Sequence, residues 1–144
     1  MKEFREFLNK GIIKKQTANK SRANDLIEES ERKEKSLKEI LNKIGLSNNN
    51  SNDILEYCYD ILIGLIRAKL YLDGFKSSGE GSHEAEISYL KEIGFSETQA
   101  KVMDELRYFR NGIKYYGKRF DSEYAKKILK FSGETSIRLK HLFK

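Results

Sequence analysis

The residues that could do chemistry in this sequence crowd into one stretch, from Met103 to Phe120. At about 100° per residue, Val102, Leu106, Phe109, Ile113 and Tyr116 fall on one apolar arc. Arg107, Arg110, Asn111, Lys114 and Lys118 fall on the other side, with Tyr115 at its edge. The spacing of the four cations sets them in a single row along a helix. Like charges so spaced repel, and the row costs stability unless acids or a polyanion offset it. Asp104 and Glu105 can offset part of it. Such a row reads either as a solvated helix face laced with local salt bridges or as a surface that contacts phosphates. Arginine suits the second role because its planar fork offers paired donors. Tyr108, Tyr115 and Phe120 would add stacking faces for unpaired bases.

Other chemistries find little support. The two histidines, His83 and His141, and the single cysteine, Cys58, are far apart in sequence and show no metal-ligand spacing. No Ser/His/Asp set can be argued, and no metal or cofactor is expected. His83 opens a short helical segment, and His141 sits in a last helical turn, where a cation suits the dipole. The glycine- and serine-rich segment from Gly74 to Gly81 lacks the following Gly-Lys-Ser/Thr of a phosphate loop and reads as a plain connection.

The pattern Arg110-Asn111-x-x-x-Tyr115, on a long helix of an all-helical chain, resembles the signature of the HEPN (higher eukaryotes and prokaryotes nucleotide-binding) domain family. In that family an Arg, commonly followed by Asn, is separated by a few residues from a His. Two further features match: the preceding helix, with Tyr57-Cys58-Tyr59 leading to Ala68-Lys69-Leu70-Tyr71-Leu72-Asp73-Gly74, and the Ser82-His83-Glu84 step after a loop. The resemblance covers roughly residues 50–130. It implies an antiparallel up-and-down bundle of four to five helices that works as a homodimer, with two copies of the motif helix lining a shared cleft. Many such domains are metal-independent ribonucleases, some of them toxins paired with a nucleotidyltransferase-like antitoxin. Carried over residue by residue, Arg110 takes the place of the family's Arg and Asn111 that of the polar residue after it, while Tyr115 stands at the His position. A His is suited to move the ribose 2′-hydroxyl proton near neutral pH, whereas a phenol titrating near ~10 is a poor base.

The elements that must position these residues are helical throughout. A short helix is predicted over 2–15, interrupted by Gly11, and a longer one over 18–44 with Gly45 as its cap. After the asparagine run, a helix from Asp53 to about Asp73 carries two apolar stripes, which places it at the centre of a bundle or at a subunit contact. Ser82 is read as the cap of a short helix ending at Gly94. Ser96-Glu97-Thr98-Gln99 matches a capping box, and Asp121 caps a last helix that the Phe131-Ser132-Gly133 stretch could bend. Residues 1–20 read as a basic helical extension and 21–144 as the bundle.

The 144 residues suit one domain, and a 35% charged fraction requires a core built from narrow stripes. The chain has no proline, and strand-type alternation is hard to find. The net charge of +6 is uneven: +4 over residues 1–50, −5 over 51–100 and +7 over 101–144. Basic ends around an acidic middle suit a polyanion partner, or an acidic helix pair neutralising its neighbours. Without a secretory signal or spanning segment, a cytoplasmic location is expected. Three functions remain open: a module that binds RNA or a nucleotide without catalysis and serves in a toxin–antitoxin or defence system, an active endoribonuclease toxin, or a structural interaction protein.

Overall fold

A computed structural model describes residues 1–143. Its helices are α1 (Phe4–Asn9), α2 (Lys20–Lys43), α3 (Ser51–Leu72), α4 (Ser82–Ser88), α5 (Glu97–Tyr116) and α6 (Ser122–His141), with a 3-10 turn, Tyr89–Ile93, continuing from α4. The mostly helical class expected from the sequence is present.

Helix α3 is the centre. Its two stripes merge, so that Ile54, Leu55, Cys58, Tyr59, Ile61, Leu62, Leu65 and Ile66 are all buried. Helices α2, α5 and α6 pack around it. Each large apolar side chain withdrawn from water in this way contributes about 1.5–3 kcal/mol before chain entropy is counted. Helices α2 and α3 run antiparallel: Ser30 Oγ donates to the Ile61 carbonyl at 3.0 Å, and Lys33 Nζ lies 3.1 Å from Asp60 Oδ2. The close approach requires Gly64, because a Cβ there would overlap Ser30 Oγ.

Local signals set the start and stop of the two helices that follow. Ser96 Oγ accepts from the Gln99 amide at 3.1 Å, and Gln99 Oε1 accepts from the Ser96 amide at 2.9 Å, which completes the capping box. Gly117, at φ 65°, ends α5 in the left-handed region that favours glycine. Asp121 Oδ1 accepts from the Tyr124 amide at 2.9 Å, and α6 runs without interruption past Gly133.

Three local expectations are corrected. Residues 2–15 are not one interrupted helix: after α1 the chain forms strand β1 (Ile13–Lys15), which pairs antiparallel with β2 (Phe75–Ser77) in the register Ile13↔Ser77, Lys14↔Lys76 and Lys15↔Phe75. The segment after Gly74 is therefore not a plain connection. Strands of three residues are too short to display alternation, and the partner lies beyond two long helices in sequence. Ser82 is not a cap; Gly81 holds that position at φ 84° with no side-chain cap bond. Phe4, Phe7 and Ile13, within the segment expected as an extension, are buried with Leu70, Ala85 and Tyr89 in a second cluster.

Candidate anion-binding cleft

Helix α3 carries Tyr59, Asp60 and Arg67 toward the site, all three within or beside its apolar stripes. Glu86, on α4, is 1% exposed and is surrounded by donors. Arg67 Nε and Nη2 donate to its two oxygens at 2.6 and 2.9 Å, and Ser77 Oγ of β2 donates to Oε2 at 2.8 Å. The ribbon thus supplies the third donor to a buried carboxylate, as a buried charge requires.

This pair holds His83. Its Nδ1 lies 2.9 Å from the Tyr59 hydroxyl and its Nε2 lies 3.4 Å from Arg67 Nη2. A guanidinium can only donate, so Nε2 accepts and Nδ1 carries the hydrogen toward the Tyr59 oxygen. Burial lowers the His83 pKa below its ordinary value, with Arg67, Arg110 and Arg107 adding to the fall and Glu86 opposing it. The imidazole is accordingly neutral, and both of its nitrogens are engaged. Burial also pushes the Tyr59 phenol up, against the pull of Arg110.

Across from His83 stands the motif helix. Arg107, Arg110, Asn111 and Tyr115 of α5 face Ser82, His83 and Glu84 over a cleft of about 270 Å³. Glu84 is its acid. The Arg110 guanidinium lies over the Tyr59 ring, 5.2 Å from the centroid, and its side chain is 18% exposed. Its contact with Asp60 is long, 3.6 Å from Nη2 to Oδ1, and Asp60 is already bonded to Lys33. Arg110 Nε is buried and has no hydrogen-bond partner. Arg107 Nε donates to Asp104 Oδ1 at 2.9 Å.

The structure divides the expected cation row. Arg107 and Arg110 reach the cleft, whereas Lys114 is exposed with its ammonium 5.7 Å from the Tyr115 ring centroid. Helix α5 ends at Tyr116, so Lys118 leaves the row and folds back beside Gly112. There it borders a second cavity, of about 520 Å³, with Tyr108, Tyr116, Arg119 and Phe120. Asn111 and Tyr115 line both cavities.

Nothing local in the sequence pairs His83 with Arg110, or either of them with Asp60 and Arg67. A signal was present only at Arg67, a charge inside the mostly apolar run 61–72; Glu86 lies in a polar turn beside His83, Glu84 and Ser88 and carries none. Among the described residues, no group of three or more His, Cys, Asp or Glu side chains is placed to hold a metal ion, and no helix is long and apolar enough to cross a membrane. Compared with protein-family models, curated proteins and solved structures, the chain matches none.

Proposed function

We propose that this chain is a HEPN-like helical module that binds the phosphates of RNA in the cleft between α4 and α5 and does not cut the strand. The state of Arg110 carries this reading. Its guanidinium is stacked on Tyr59, its Nε is buried without a partner, its acid contact is long, and it borders an open cleft with Arg107. With only a long acid contact, the guanidinium keeps donors that a phosphate oxygen in the cleft can accept as charge-assisted bonds. The +7 balance of residues 101–144 adds a field that attracts a polyanion.

A metal-independent endoribonuclease is the second reading, and one observation favours it: His83 borders the same cleft as Arg110. A general base needs a free lone pair within reach of the 2′-hydroxyl. The acceptor nitrogen of His83 already faces Arg67, and Tyr115, at the motif position, is a largely exposed phenol. Binding without chemistry fits these contacts better.

The test is titration of a labelled single-stranded RNA between about 50 and 200 mM salt, where affinity should fall steeply, with a log–log slope of about 0.7 per phosphate contacted. Arg107→Ala and Arg110→Ala should each weaken binding and reduce that slope by nearly one contact. Binding that ignores salt, or that survives both substitutions, rejects the proposal. RNA incubated with the protein and a chelator should stay intact. A cyclic-phosphate product abolished by Arg110→Ala would establish the second reading instead.

A further inference from the structure

We infer that the aromatic cavity beyond the cleft is a base-stacking subsite, so that the ligand is a single strand with one phosphate at Arg107 and Arg110 and an adjacent unpaired base among the tyrosines. This rests on the phosphate-binding reading of the cleft. The first observation is exposure. Tyr108, Tyr115 and Tyr116 are 69%, 65% and 80% exposed, although each is a large ring. Clustered apolar rings left in water mark a contact surface. The second is their support. Phe109 packs against Phe120 with ring centroids 4.9 Å apart, and Phe120 against Tyr124 at 5.4 Å. Tyr108 meets Phe109 edge-on at 5.9 Å. The cavity therefore has a packed aromatic floor and an exposed aromatic rim.

The third observation is charge. Among the described residues, none of Lys114, Lys118 and Arg119 forms an ion pair with an acid. Arg119 points Nη2 only at the Asn48 and Asn49 carbonyls, at 3.4 and 3.5 Å. An apolar cavity rimmed by uncompensated cations fits an anionic aromatic ligand better than it fits another protein's apolar face. The fourth is continuity. Asn111 and Tyr115 belong to both cavities, so a ligand can pass from the arginines to the rings without leaving the surface. The Asn111 amide makes no side-chain hydrogen bond among the described residues and faces that junction, where a sugar or a base edge would lie. Duplex RNA keeps its bases stacked on one another and offers none to the cavity.

The experiment compares three labelled probes on the full chain: an unstructured 12-nucleotide RNA (about the span of one such site), the same RNA as a duplex, and an abasic strand with the same phosphates. Wild type should bind the single strand roughly tenfold or more tightly than the other two. Tyr108→Ala combined with Tyr116→Ala, both at exposed positions, should remove that preference and leave abasic-strand binding unchanged. Arg107→Ala with Arg110→Ala should weaken all three probes. Equal wild-type binding of the three probes, or a preference that survives the tyrosine changes, overturns the base subsite alone. A tyrosine variant that loses a sedimenting dimer while keeping wild-type RNA affinity also overturns it, because the rings then serve a contact between copies. Loss of no binding on removal of the two arginines overturns the phosphate cleft beneath it.

Discussion

Replacing Glu86 by alanine would test the support of the cleft directly. The carboxylate is 1% exposed and accepts from Arg67 twice and from Ser77 once. Its removal leaves the Arg67 guanidinium and the Ser77 hydroxyl facing a small void. Removing one partner of a buried pair costs about 3–5 kcal/mol. The Arg67 side chain is 26% exposed, so water can reach part of the orphaned charge and the lower end, about 3 kcal/mol, is expected. Urea denaturation followed by circular dichroism measures the change as a fall in midpoint at constant slope. The double change Glu86→Leu with Arg67→Met should recover most of the loss, since it leaves no unpaired charge. Glu86 also opposes the downward shift of His83, so the imidazole pKa, followed by NMR in Glu86→Ala, should fall further. A loss below about 1 kcal/mol, within the range of an exposed pair, would refute the claim that this contact is the buried support of His83.

Three further outcomes follow from the same structure. His83 has a lowered folded pKa, so the unfolded chain takes up its proton first. Its part in stability is complete above the ordinary value near ~6.5 and is lost as pH falls from there through the folded value. The wild-type-minus-His83→Gln difference in stability should therefore shrink on acidification; a difference flat across that window would refute the half-buried neutral imidazole. Burial pushes the Cys58 thiol up to about 11, so a disulfide reagent near neutral pH should label it only in denaturant, and rapid labelling of the folded protein would show that the helices packed around α3 are not closed over it. Gly64→Ala should destabilise by about 1–3 kcal/mol through overlap with Ser30 Oγ, and adding Ser30→Ala should relieve part of that cost in thermal melts.

The helices were legible wherever their causes are local. The Ser96–Gln99 box and the Asp121 cap sit within a few residues of the ends they set, and of the two places the apolar girth of 53–73 allowed, centre or subunit contact, the helix takes the centre. Helical periodicity put Arg107, Arg110 and Asn111 on one side of α5, and all three line the cleft, whereas Tyr116, assigned to the apolar arc, is 80% exposed because it is the last residue of the helix. Lys118 leaves the row because the left-handed turn at Gly117 ends the helix before it, and Lys114, still on the helix, is exposed and does not line the cleft.

Sequence by itself determined the helical class and the grouping of Arg107, Arg110 and Asn111 on one face of α5, because propensity, capping and amphipathic period act over a turn or two. Tertiary structure alone decided what stands opposite that face. His83 reaches the cleft because Glu86 is clamped by Arg67 from another helix and by Ser77 from a strand whose own partner lies near the start of the chain. Contacts between segments so distant leave no periodic trace, since each depends on where the other's backbone has already been placed.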